Sequence, residues 1–242
     1  MAEPRNGPPG YGLWALVPAA GAGIRMAADR PKQYLPLLGR PLLQFTLERI
    51  ASFTHVRGLV VGVAEDDPYW PTLPKPAKLV GSCIGGAQRA ETVLNGLKVL
   101  MRHAAEGDWV LVHDAVRPCV RHGDIERLIR GVGRHPDGGL LALPVADTVK
   151  RADRDNEVIE TIAREGLWRA VTPQLFPIGM LKTALEKALR DNATITDEAM
   201  AIEHLGGHPK LVASHGDNIK ITLPGDLELA ELYLKQQSRE RE

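Results

Sequence analysis

Residues 17–35 read VPAAGAGIRMAADRPKQYL, and the fold turns on what this stretch can be. An apolar run ends at Pro18, small residues with Gly21 and Gly23 follow, and the cations Arg25 and Lys32 come next. A strand that opens into a glycine turn leaves backbone N–H groups uncovered. With two long cations beside them, such a turn is a cradle for a phosphate chain. It is not a Walker A loop, because no G-K-[ST] follows the glycines. Nor does it fit a dinucleotide fingerprint. Met26 stands at the third glycine position, and the second apolar run ends near Glu65, far later than a ribose-binding acid about 20 residues on would require. A small-residue turn kept only for packing is the plain alternative, and the two cations weigh against it.

Outward from this loop, nearly continuous apolar runs recur at 13–17 (LWALV), 59–64 (LVVGVA), 109–113 (WVLVH) and 139–145 (GLLALPV). Runs that do not alternate are strands covered on both faces. Helical spacing lies between them: Leu43, Leu47 and Ile50 share a face, as do Val93, Leu97 and Leu100. Further on, Thr196 is placed to N-cap a helix through TDEAMAIEHLG, and a last helix is expected from Pro224 through Leu234. Alternating strands and helices predict an α/β fold, a Rossmann-like and mostly parallel sheet with helices on both faces. Residues 147–172 break the rhythm with short β-like pieces and polar turns, which reads as a projecting β-arm. No internal repeat or long linker divides the chain. One domain over 13–236, carrying the arm as an insertion, is expected behind a disordered leader at 1–12.

Composition removes several function classes. Thirty Lys and Arg balance thirty Asp and Glu, so no global charge draws nucleic acid or an anionic membrane surface. The longest apolar stretches fall well short of the ~20 residues of a membrane span, and the polar start MAEPRNGPPGYG lacks a signal-peptide core. Cys83 and Cys119 form no CxxC pattern and fit reduced thiols in a cytoplasmic protein. His204 and His208 are four apart, but Gly206 and Gly207 between them mark a helix end rather than a metal site.

PAAGAGIRM followed by PKQYL resembles the signature of the cytidylyltransferases that act on 2-C-methyl-D-erythritol 4-phosphate in the non-mevalonate isoprenoid pathway. The resemblance continues in order through GGAQRAETVLNGL (85–97), VLVHDAVRP (110–118), PVADTVKR (144–151), GLWRAVTPQLF (166–176), TITDEA (194–199) and DNIKIT (217–222). It implies that the CMP moiety of CTP passes to the polyol phosphate and pyrophosphate departs. A phosphate oxygen would attack the α-phosphorus. A monoester whose second pKa is ~6 already carries that charge, so no general base is obligatory.

The same resemblance implies the roles. Arg25 and Lys32 would contact the triphosphate and stabilise charge on the α-phosphate and leaving group. Asp114, just past the strand WVLVH, would hold Mg²⁺ or another divalent cation, although such an aspartate alone reads as a helix cap. Lys220 would pair with the attacking phosphate or with metal-bound oxygens. Ala19, Ala20 and Gly21, with Gly85, Gly86, Ala87 and Thr92, would bind the nucleotide and read its base. The commoner pattern has an acid at Ala87 and a serine at Thr92, which bears on cytosine selectivity. Arg89 reads as structural. Arg117, Thr148, Arg164, Thr172 and Thr196 match substrate-side positions, Arg164 the sharpest because a guanidinium fork suits a phosphate. A salt bridge is the alternative for Arg117, and structural hydroxyls are the alternative for the threonines.

Rival readings are a cytidylyltransferase for ribitol 5-phosphate or another polyol phosphate, a sugar-1-phosphate nucleotidyltransferase, a silent nucleotide-binding regulator and a Rossmann dehydrogenase. Val149, Val158, Ile159, Ile162 and Trp168 on the arm need a cover that an isolated hairpin lacks. The expectation is a homodimer whose arms reach into each other's substrate sites.

Overall fold

In strand β1 (Leu13–Pro18) the side chains of Leu13, Ala15 and Val17 pack to one side of the sheet and Trp14 and Leu16 to the other, and all five are buried. That is why the apolar runs do not alternate. The computed structural model describes residues 10–21, 30–133 and 135–240. After β1 come the short pair β2 (Pro36–Leu37) and β3 (Arg40–Pro41), α1 (Leu42–Ala51), β4 (Val56–Val63), β5 (Leu79–Ile84) and α2 (Arg89–Leu100). Next are β6 (Trp109–Val112), α3 (His122–Val132), β7 (Gly139–Pro144), β8 (Val149–Ala152) and β9 (Val158–Ile162). The long strand β10 (Trp168–Pro177) then leads to α4 (Ile178–Arg190), α5 (Glu198–His204), β11 (Lys210–Ala213) and α6 (Gly225–Arg239).

The main sheet has the order β11-β7-β10-β6-β1-β4-β5. β1 is parallel to β4 and β6, β4 to β5, and β11 to β7, whereas β10 runs antiparallel to both neighbours. The sheet is therefore mostly parallel, as expected, with one strand reversed. Apolar residues of α1 and α3 cover one face, and those of α2, α4 and α5 the other. A third cluster packs α6 onto Leu35, Leu37, Leu42, Val116 and Ile221. The chain leaves β1 toward β4 and β5, then returns to the other side of β1 for β6. That reversal opens a crevice beyond the carboxyl ends of β1 and β6, the usual place for a ligand in an open α/β sheet.

Four local expectations shift. β8 and β9 form a separate two-stranded sheet, but Trp168–Thr172 belong to β10, of which Trp168–Ala170 pair with β7, so the arm is shorter than 147–172. Asp197, not Thr196, caps α5, accepting from the Met200 N–H at 2.9 Å. The last helix runs on to Arg239. Of the leader, residues 1–9 lie outside the described residues, and Gly12 is already held by its N–H on Asp108 Oδ1 at 2.6 Å. Among the described residues no helix is long and apolar enough to cross a membrane.

Candidate active site

Three loops at the carboxyl ends of β1, β5 and β6 meet around a cavity of ≈ 350 Å³. The β1 loop contributes Ala19, Ala20 and Gly21, the segment entering α2 contributes Gly86, Ala87, Arg89 and Thr92, and β6 ends in Asp114. Lys32 and Lys220 complete the wall. Gly85 stands just behind: a Cβ there would lie 2.3 Å from that of Ala20, so only glycine lets the two loops approach.

The entry to α2 is internally satisfied. Gly85 N–H donates to Val63 O (2.8 Å), Gly86 N–H to Thr92 Oγ1 (3.1 Å) and Ala87 N–H to Glu91 Oε2 (2.6 Å). With those donors occupied, the loop is left to present carbonyl oxygens. Lys32 sits on a one-turn 3-10 helix (Lys32–Tyr34) pinned on both sides. The buried Gln33 amide donates to Ala19 O at 2.7 Å, and the Tyr34 hydroxyl to Asp67 at 2.7 Å. Lys32 Nζ reaches Ile221 O at 3.3 Å.

Asp114 is the electrostatic centre. Its Oδ1 lies 3.2 Å from Arg89 Nη2, and its Oδ2 lies 3.3 Å from Arg117 Nε and 3.0 Å from Lys220 Nζ. Burial alone would raise this carboxyl, but Arg89, Lys220 and Arg117 hold it far below the usual carboxylate range, so it is ionised. Arg89 turns its other arm to Glu198, a fully buried carboxylate in the first turn of α5. Burial pushes the Glu198 carboxyl up against the pull of Arg89.

Behind Asp114, Thr172 Oγ1 accepts the Asp114 N–H and meets His113 Nδ1, both at 3.0 Å, while His113 Nε2 faces Arg117 O at 2.9 Å. A carbonyl can only accept, so the imidazole proton sits on Nε2 and the threonine hydroxyl donates to Nδ1. Complete burial lowers the His113 pKa to about 4, which keeps the ring neutral and this relay of hydrogen bonds fixed. The ladder of β10 is irregular between Ala170 and Gln174, and Thr172 lies within that irregularity.

A family model described as "IspD: 2-C-methyl-D-erythritol 4-phosphate cytidylyltransferase" matches residues 13–236. The chain belongs to this family. A 2-C-methyl-D-erythritol 4-phosphate cytidylyltransferase of Pseudomonas aeruginosa is 53% identical over 217 residues, 89% of this chain and 93% of that one. The corresponding protein of Aliivibrio fischeri is 48% identical over 230 residues, 94% and 96% of the two chains. Among solved structures, that of the Francisella tularensis cytidylyltransferase (IspD) superposes with a TM-score of 0.79 at 35% identity, covering 92% of this chain and 99% of that one.

The residues expected from the resemblance to the IspD family divide into three groups. Ala19, Ala20, Gly21, Lys32, Gly86, Ala87, Thr92, Asp114 and Lys220 line one cavity, with Gly85 in support. Arg117 and Thr172 are buried behind Asp114, Arg117 also donating to Asn218 O at 2.8 Å. Thr148, Arg164 and Thr196 are exposed and outside this cavity. Arg164 donates to Ala146 O at the base of the hairpin, and the Thr196 hydroxyl meets Met200 Sδ at 3.5 Å. Arg25 lies outside the described residues. Lys220 follows β11 in a loop and is brought in by the Ile221 N–H on Val116 O at 3.0 Å.

Sequence reasoning passed over four supports: Gln33, His113, Glu198 and Asn218. Asn218 is buried and donates to Thr172 O at 2.8 Å. All four lie inside the motif stretches PKQYL, VLVHDAVRP, TITDEA and DNIKIT, and that membership is the signal that could have found them.

Proposed function

We propose that this chain transfers the CMP moiety of CTP to 2-C-methyl-D-erythritol 4-phosphate, releasing pyrophosphate and giving 4-diphosphocytidyl-2-C-methyl-D-erythritol. The observation that carries this reading is that five of the motif stretches (PAAGAGIRM, PKQYL, GGAQRAETVLNGL, VLVHDAVRP and DNIKIT) line one cavity, whose wall holds an ionised Asp114 together with Lys32 and Lys220.

The chemistry follows from charge. The polyol phosphate is its own anionic nucleophile, with a second pKa of ~6, so the protein need not remove a proton. It must bring two polyanions together and stabilise the negative charge that collects on the α-phosphate and the pyrophosphate. Lys32, with Arg25 on the same segment, supplies positive charge on the triphosphate side, and Lys220 on the side of the attacking phosphate. The carbonyl oxygens at the entry to α2 suit the exocyclic amine of cytosine, a donor, and this lessens the importance of alanine rather than an acid at position 87. Arg164 and Thr148 of a second copy would hold the polyol phosphate in a homodimer. The free, buried thiols of Cys83 and Cys119 suit a reducing compartment, which supports the cytoplasm as the place of action.

A divalent cation, Mg²⁺ by its abundance with nucleotides, fits the residues present. Asp114 is the one carboxylate among the described residues lining the cavity, and it is ionised. Among the described residues no cluster of three or more His, Cys, Asp or Glu side chains could form a cage. One carboxylate plus substrate phosphates is the ordinary way to hold Mg²⁺. Bound there, the cation would neutralise triphosphate oxygens as a Lewis acid.

Pyrophosphate release with CTP and 2-C-methyl-D-erythritol 4-phosphate, each omitted in turn, tests this reading. Release is expected only with both present, and Lys32→Ala is expected to lower kcat by ~10²-fold or more with a smaller effect on the polyol KM. Release with another nucleotide or with ribitol 5-phosphate at equal kcat/KM would overturn the substrate assignment.

A further inference from the structure

Glu198 carries a feature that the reaction does not require on its face. It is 1% exposed, it pairs with Arg89 Nη1, and its Oε2 has no hydrogen-bond partner among the described residues. A buried carboxylate with half its oxygens unpaired is costly, and an apolar pair in its place would commonly be as stable or more so. Its location gives it a use. Arg89 is the first residue of α2, at the rim of the cavity, and its fork is divided: Nη1 goes to Glu198 and Nη2 to Asp114 Oδ1. An undivided guanidinium facing a lone carboxylate prefers two parallel hydrogen bonds, one to each oxygen. Such a grip would close Asp114, whose Oδ2 already receives Arg117 and Lys220. Lys220 is more exposed than Arg89 and can be drawn off by an incoming phosphate, whereas the part-buried Arg89 is held in place by its pair with the buried Glu198.

We propose that Glu198 is a positioning residue for Asp114: by holding one arm of Arg89 it keeps that guanidinium from closing on both oxygens and leaves the carboxylate open to a divalent cation. The proposal rests on the reading of Asp114 as the metal-holding carboxylate. Glu198 also sets the local charge. Three cations against two carboxylates leave one net positive charge, whereas removing Glu198 leaves two, a surplus that favours CTP and repels a metal ion.

The experiment measures Mn²⁺ bound to the enzyme–CTP complex by water-proton relaxation enhancement. CTP affinity without metal and the thermal midpoint are followed alongside. Glu198→Gln is expected to weaken Mn²⁺ binding ~10-fold or more while CTP binding without metal is not weakened. The double variant Arg89→Leu/Glu198→Leu removes the competing cation together with its anchor and is expected to bind Mn²⁺ at least as tightly as the parent. If Glu198→Gln fails to fold, the double variant decides alone, and weakened Mn²⁺ binding there overturns the proposal. A pair that merely glues α2 to α5 would lower the midpoint in Glu198→Gln and leave Mn²⁺ affinity unchanged. If Asp114→Asn binds Mn²⁺ as well as the parent, the metal reading itself fails and this proposal with it. If Asp114→Asn abolishes binding and Glu198→Gln does not alter it, only the role of Glu198 is lost.

Discussion

Around Asp114, groups from α2, β10 and the loop after β11 converge on one carboxylate, and both its oxygens and its backbone N–H are engaged. The β8–β9 hairpin, only a few dozen residues further along, is the reverse. Its residues are exposed almost throughout, its ion pair Arg151–Glu160 stands in solvent, and Val158 and Ile159 are 62% and 61% exposed. The same chain thus fixes its cavity wall in advance and leaves Thr148 and Arg164, proposed above as polyol-phosphate contacts, on an uncovered element. The contrast teaches that preorganisation here is unequal. The cavity wall is a property of the fold, and on the proposed reading the polyol contacts await a second surface.

The largest effect on stability is expected where the fixing is tightest. Asp114→Asn removes the anion from among Arg89, Arg117 and Lys220 and leaves the buried Arg117 without its carboxylate, at a cost of ~3 kcal/mol. The pH dependence gives the sign. Asp114 has a folded pKa below its unfolded value of ~3.9, so its contribution is complete above that pH and is lost as the pH falls through the folded value. Urea midpoints of parent and variant should therefore differ by a constant amount near neutrality and converge in acid. A gap that persists unchanged to about pH 3 would show that the charge is not what stabilises.

A smaller loss is expected one step back. Thr172→Val deprives the Asp114 N–H and His113 Nδ1 of their shared hydroxyl, costing ~1–3 kcal/mol for buried groups left unpaired. Denaturant unfolding would read this as a lower midpoint at unchanged slope. The KM for the polyol phosphate should hardly move. A raised KM with unaltered stability would return Thr172 to the substrate side, where its motif alone had put it.

How much of this was legible beforehand follows the same division. Buried strands announce themselves by unbroken apolar runs, and the loops at their ends by glycine, so the sheet and the cavity wall could be read from local sequence. The supports could not. His113 meets Thr172 across 59 positions, Asn218 meets Thr172 across 46, and Glu198 meets Arg89 across 109. Nothing in a polar residue's neighbours says which distant group will satisfy it. The arm was drawn too long for a related reason. Trp168–Thr172 continue the short β-like pieces of the hairpin before them, and only the pairing of Trp168–Ala170 with β7 makes this stretch part of the main sheet. The cap of α5 fell one residue off because Thr196 and Asp197 are both good caps, and Asp197 is also held by Gln174 Nε2 at 2.9 Å.

The smallest effect on a single chain's stability is expected in the arm, and there it should be most consequential for assembly. Val158→Ser/Ile159→Ser alters side chains that the protomer leaves in water, so unfolding of the separated protomer should change by no more than ~0.5 kcal/mol. Sedimentation should nevertheless show a dimer giving way to monomer, because those side chains are the apolar surface a second arm would cover. Activity should fall with the dimer if the arm serves the neighbouring site. Mixing inactive Lys32→Ala and Arg164→Ala proteins under conditions of subunit exchange separates this from general damage. In a mixed dimer with arms exchanged, one site carries both defects and the other carries neither, so activity returns. With each arm serving its own chain, every site keeps one defect whatever the partner, and mixed dimers shown to form would stay as inactive as their parents.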